Sequence, residues 1–119
     1  MEEFEEAVKY VNENIEGVSF VGIVGRDGLP ISVLDKGDMD SAEASAELAS
    51  IFNGIVKSVK ALEVGMLTEL FLTTETLAIV VYPVNEEYFL AVAMHTPVNF
   101  GRVRLEVKKV LPAIKELIK

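Results

Sequence analysis

Asp27-Gly28 lies between two apolar, largely β-branched runs, Val18 to Val24 and Leu29 to Leu34, and no other stretch limits the fold so firmly. Gly28 supplies the positive φ that a tight reversal demands. The two runs are therefore predicted to be antiparallel strands joined by a hairpin through Arg26-Asp27-Gly28.

The remaining elements follow from periodicity and punctuation. Phe4, Ala7, Val8, Val11 and Ile15 recur at helical spacing opposite Glu2, Glu3, Glu5, Glu6 and Glu13, which predicts an amphipathic helix over residues 2–15 ended by Gly17. After the polar loop Asp35 to Met39, Asp40 and Glu43 have capping-box spacing and mark a helix that begins near Ser41. Ala44, Leu48, Ile51, Phe52, Ile55, Val59 and Leu62 form its apolar stripe to about Glu63, and Gly65 stops it. Strands are predicted over 66–74, 77–84 and 88–95, separated by Glu75-Thr76 and Asn85-Glu86-Glu87. Asn99 caps a last helix with Phe100, Val103, Val107, Val110, Leu111, Ile114, Leu117 and Ile118 on one face, and Pro112 predicts a kink or break near 108–112. The order α-β-β-α-β-β-β-α makes one domain over 1–119, an α+β sandwich of a five-stranded antiparallel sheet with helices on both faces.

Composition narrows the function. Half the residues are hydrophobic, enough for a sizeable core, and the formal charge of −8 repels nucleic acid and anionic membrane surfaces. The acidic N-terminal residues do not resemble a secretory signal, and no apolar run approaches the roughly 20 residues that span a bilayer. With no cysteine, disulfides and thiolate metal sites are excluded; a reducing interior is permitted, and the cytoplasm is the expected location.

Catalysis lacks parts. His95 is the single histidine, and none of Ser32, Ser41, Ser45, Ser50 and Ser58 lies in a Gly-x-Ser-x-Gly elbow. Asp35, Asp38 and Asp40 could gather round a hard cation but fail the calcium-loop pattern, so a solvated capping loop is expected and no metal is assigned. Gly22, Gly25 and Gly28 precede no helix N-terminus that could receive phosphate, so no cofactor is assigned. Arg26 at the hairpin tip reads as a solvated turn residue.

The middle helix carries a feature that a monomer does not need. Opposite its predicted core stripe lie Ala42, Ala46, Ala49, Ser50, Asn53, Val56, Lys57 and Lys60, a small and weakly charged surface, and Gly54 removes further bulk nearby. Two readings stay open: alanine favouring helix on an exposed face, or close contact with another chain. Glu43 and Glu47 near the start and Lys57 and Lys60 near the finish suit the helix dipole. They would also pair across a twofold axis near Phe52, Glu47 with Lys57 and Glu43 with Lys60 of an antiparallel copy. Glu69, set among Met66, Leu67, Leu70, Phe71 and Leu72, fits an edge strand that is either protected or paired with a partner. Residues 2–16 hold six acids and one base, whereas 99–119 hold six bases and two acids, so the terminal helices are expected to attract each other.

Taken together, Gly25-Arg26-Asp27-Gly28-Leu29-Pro30-Ile31-Ser32, Asp40-Ser41-Ala42, Tyr88-Phe89-Leu90-Ala91-Val92 and Asn99-Phe100-Gly101-Arg102 resemble the roadblock/dynein light chain family over nearly the whole chain. The resemblance implies a profilin-like fold and a non-enzymatic homodimeric scaffold or regulator of a Ras-like small GTPase. It implicates Ala42, Ala46, Ala49, Asn53, Val56, Leu67, Glu69 and Phe71 in self-pairing through the middle helix and third strand. Ser50, Lys57 and Lys60 would border the GTPase platform. Pro112 departs from the family pattern. The alternative is a small-molecule sensor on the same fold, against which the large inward residues predicted on both sheet faces argue.

Overall fold

The computed structural model describes residues 2–37 and 39–118. Its elements are α1 (Glu2–Asn14), β1 (Val18–Gly25), β2 (Pro30–Asp35), α2 (Ser41–Leu62), β3 (Leu70–Thr73), β4 (Leu77–Pro83), β5 (Tyr88–His95) and α3 (Phe100–Leu117). The strands form one antiparallel sheet in the order β2-β1-β5-β4-β3, so β2 and β3 are its edges.

Turn chemistry sets the connections. At the first hairpin Gly28 adopts φ 91°, the Gly25 N–H bonds the Leu29 carbonyl at 2.8 Å, and Asp27 Oδ1 accepts the Leu29 N–H at 3.0 Å. Asn85 Oδ1 takes the N–H groups of Glu87 and Tyr88 at the β4–β5 turn, and Thr74 Oγ1 takes that of Leu77 at the β3–β4 turn.

Alternation along the strands divides the core into two layers. Leu90, Val92 and Met94 of β5 face α1 and α3, together with Phe4, Val8 and Val11 and with Val103, Val107 and Ile114. Phe89, Ala91 and Ala93 face α2 with Phe20, Val24, Leu48 and Phe52. The α2 side of β5 is the thinner one, since two of its three residues are alanine. On that side the Phe52 ring of α2 stacks on Phe89 at 4.7 Å between centroids.

The α1–α3 layer is tied by a buried carboxylate. Glu106, 1% exposed, accepts the Tyr10 hydroxyl at 2.7 Å and meets Arg102 Nε at 2.8 Å and Lys109 Nζ at 3.4 Å. The Tyr10 hydrogen bond, joined by Lys109 and Arg102, holds the Glu106 carboxyl below its ordinary range against the opposing pull of burial. Arg102 and Lys109 thus turn to an acid of their own helix, and the Tyr10 hydroxyl ties that acid to α1.

The extent of β3, the residue that terminates α2 and the continuity of α3 differ from the sequence expectation, whereas the end of α2 near Glu63 is as expected. β3 pairs only over Leu70–Thr73, because its register with β4 would bring Thr68 opposite Pro83, which has no N–H to give. α2 ends on Glu63 in the left-handed region, φ 55°, with its N–H on the Lys60 carbonyl, two residues before Gly65. α3 continues unbroken through Pro112 to Leu117. The prolyl ring is exposed there, while Val110 and Ile114 on either side are packed into the core and hold both halves in place.

Candidate functional site

α2 is built from its cap outward. Asp40 accepts the Glu43 N–H at 3.0 Å, and Asp35 accepts the Ser41 hydroxyl at 3.1 Å and the Gly37 N–H at 2.9 Å. These carboxylates are engaged in shaping the start of the helix, and Asp38 lies outside the described residues. No group of three or more metal-ligating side chains occurs among the described residues.

The side of α2 that meets the sheet overlaps the predicted stripe at Leu48 and Phe52 but is rotated away from the rest of it. Its buried residues are Ser45, Leu48, Ala49 and Phe52, a face turned roughly 60° from the expected one at 100° per residue. Small residues do allow close approach, as expected, but what approaches is the chain's own sheet, with Ala91 and Ala93 opposite. Ala49 is 3% exposed, and Val56 packs against the same cluster. Both were predicted to face a partner; Ala49 is buried in this core, and Val56 is half-buried against it. Phe52, the expected twofold centre, is likewise buried in its own subunit.

Asn53 is also committed within the chain. Its Oδ1 accepts Arg26 Nε at 2.7 Å, and its amide donates to the Arg26 carbonyl at 2.9 Å. The same guanidinium reaches the Glu86 carbonyl at 3.3 Å and lies 5.6 Å from the Phe52 ring centroid. Arg26 is therefore no loose turn residue: it fastens the β1–β2 hairpin to α2 and to the β4–β5 turn. Gly28 completes that contact, since a Cβ there would stand 3.4 Å from Ala46 Cα. Around this junction Asp27, Glu86, Glu87 and Tyr88 help to line an open cleft of 480 Å³.

Glu69 and Phe71 join β3 to α3. Arg104 binds the Glu69 carboxylate through two nitrogens at 2.7 and 3.2 Å and lies 5.3 Å from the Phe71 ring centroid, while Phe71 stacks on Phe100 at 5.1 Å. Burial works to raise the Glu69 carboxyl, and the hydrogen bonds and charge of Arg104 more than reverse it, holding the group below its ordinary range. Tyr82 Oη lies buried beside this pair without a partner in hydrogen-bond geometry, and burial followed by the Glu69 carboxylate raises its pKa.

Part of the α2 stripe assigned in advance to the core is open to solvent instead. Ile51 is 39% exposed, Leu62 69%, Val64 72% and Met66 90%, and Ile55 and Val59 are half-buried. This strip runs off the end of α2 toward edge strand β3. Leu67 is half-buried against the α2-side core, whereas Ala42, Ala46, Ser50, Lys57 and Lys60 are exposed. The residues missed by sequence reasoning are thus Ile51, Leu62, Val64 and Met66. The signal available for them was the continuation of apolar character past the Glu63 cap, where a core helix has no reason to carry it.

No curated protein sequence matches the chain. Among solved structures, Myxococcus xanthus MglC is 24% identical, with 96% of this chain and 98% of that one covered at a TM-score of 0.70. Myxococcus xanthus MglB is 15% identical over 98% of this chain and 88% of that one, with a TM-score of 0.89. Acanthamoeba castellanii profilin IA, 16% identical over 94% and 98%, has a TM-score of 0.58, so the fold is profilin-like. The Roadblock/LC7 domain model matches residues 8–94, from the middle of α1 through β5, and the chain belongs to that family.

Proposed function

We propose that the chain is a non-enzymatic, cytoplasmic homodimer that binds a Ras-like small GTPase as its scaffold or regulator. The observation that carries this reading is the exposed apolar strip Ile51, Leu62, Val64 and Met66 running into an unpaired sheet edge in a Roadblock/LC7 domain. Covering such a strip with a second copy removes apolar surface from water, a transfer gain of about 25 cal/mol per Å² against which the entropy of association is set. The self-pairing surface proposed is therefore this strip with Leu67 and the β3 edge; Ala42 and Ala46 are exposed on the other flank of α2, where Ala46 adjoins the Gly28 hairpin. Ala49, Asn53, Val56, Glu69 and Phe71 act within the subunit. Ser50, Lys57 and Lys60, exposed along the same helix, are proposed to meet the GTPase.

A small-molecule sensor is less well supported. The clefts found among the described residues, of 480 to 640 Å³, open at the surface, while both faces of the sheet are filled by packed side chains.

Light scattering on a sizing column tests the pairing: the wild-type chain should run at twice its monomer mass, and Leu62→Asp or Met66→Asp should halve it without altering far-ultraviolet dichroism. A wild-type monomer at micromolar concentration would sink the proposal. Capture from native lysate tests the client, which should be a Ras-like GTPase retained by wild type and lost with Lys57→Glu/Lys60→Glu. Recovery of metabolites without any GTPase would turn the reading to a sensor.

A further inference from the structure

A groove of 640 Å³ runs between α1 and α3, on the sheet face opposite α2. Its floor is apolar and low: Ala7 and Ala113 leave room above Val110, and Leu117 stands 39% exposed at one end. Along α1 it extends from Glu3 to Tyr10, two helical turns or about 10 Å. Small residues facing each other across two helices make a seat in which a third helix can approach closely.

Charge and ring chemistry decide what fits. Glu3 and Glu6 place two carboxylates along the α1 side of the groove, while the ammonium of Lys109 on the other side is held 3.4 Å from buried Glu106. Tyr10 has its hydroxyl engaged by Glu106, so it offers the groove its ring rather than a hydrogen bond. A carboxylate rim beside an aromatic wall favours a cation, through both ion pairing and the ring quadrupole. The net charge of −8 adds a long-range attraction of the same sign.

We infer that this groove docks a basic amphipathic helix of another protein, its apolar residues between Ala7 and Ala113 and its Lys or Arg side chains over Glu3, Glu6 and Tyr10. Because the groove and α2 lie on opposite faces of the sheet, the domain can hold this partner while α2 is occupied. It is then an adaptor with two separate docking faces.

The probe is a capped helical peptide of about 14 residues with Leu at i, i+3, i+4 and i+7 and Lys elsewhere, beside a control with Glu in place of Lys. Titrated into nitrogen-labelled protein, the Lys peptide should give saturating amide shifts centred on Ala7, Tyr10, Ala113 and Leu117. The Glu peptide should give none. Ala113→Trp, at an exposed position, fills the seat without changing charge, and Glu3→Lys/Glu6→Lys reverses the rim; each should weaken binding about tenfold or more. Leu62→Asp should leave it unchanged, which separates this test from that of the α2 face. Shifts spread over every acidic surface or centred on α2, equal binding of the Glu peptide, or unchanged affinity in Ala113→Trp would overturn the inference. So would concentration-dependent shifts at these amides without peptide, which would make the groove a contact between copies of this chain.

Discussion

The Tyr10 hydroxyl donates a 2.7 Å hydrogen bond to the Glu106 carboxylate, joining α1 to α3 across 96 residues of sequence. It shifts both groups in ways that pH can read. The folded-state pKa of Glu106 is depressed below 4.5, so its contribution to stability is complete above that value and is lost as pH falls through the lower folded pKa. That of Tyr10 is raised above 10.0, so its contribution is complete below pH 10 and is lost as pH rises through the folded pKa. The stability gap between wild type and Glu106→Gln, measured by urea unfolding, should be widest near neutrality and narrow below pH 4.5. The gap to Tyr10→Phe should close at the alkaline end instead. A gap that stays constant with pH would mean that the charge of Glu106 contributes nothing specific.

The assignment of α2's buried side can be checked at two alanines. Ala49 is 3% exposed against the sheet, so Ala49→Leu overpacks the layer and should cost about 1–3 kcal/mol. Ala42 is exposed in the first turn, and Ala42→Leu should change stability by less than about 0.5 kcal/mol. Chemical denaturation of the two variants measures the difference, and equal effects would contradict the observed face.

The sequence's legibility divides along the same line. The Asp27-Gly28 hairpin, the capping residues Asp40 and Asn99 and the element order were readable because each depends on neighbours within a few positions. Which side of α2 is buried was not. Ala49 packs in one cluster with Phe20, Phe89, Ala91 and Ala93, and a helix read alone cannot show which sheet residues will face it. Ile51 and Leu62 then look like core because they are large, although they stand outside it. Arg26 was illegible for a related reason, since its partners Asn53 and Glu86 lie 27 and 60 residues away.

Arg26 and Asn53 should show energetic coupling. Their two hydrogen bonds join the hairpin to α2, and a bond involving a charged donor contributes about 1.5–3 kcal/mol. Partial exposure of Arg26 lowers the expected coupling to about 1 kcal/mol. A double-mutant cycle of Arg26→Ala and Asn53→Ala measures it, the double variant losing less than the sum of the two single losses. Strict additivity would show that the pair does not act as a unit.

Pro112 offers a gain rather than a loss. It stands inside α3 without an N–H for the Lys108 carbonyl, and a prolyl ring in a helix interior costs about 3 kcal/mol relative to alanine. Two effects reduce what its removal can return. The ring is exposed and the helix ends five residues later, at Leu117, so water can serve the orphaned carbonyl. Proline also stiffens the unfolded chain, an advantage of about 0.4–1 kcal/mol that the variant gives up. Pro112→Ala should therefore stabilise the domain by about 1–2 kcal/mol, visible as a Tm several degrees higher. Pro112→Gly restores the same donor but costs about 1 kcal/mol relative to alanine in a helix, so it should recover little or none of that gain. If Pro112→Ala instead lowered the Tm, the ring would be supplying packing that its exposure does not show, and the account of an unbroken but weakened α3 would fail.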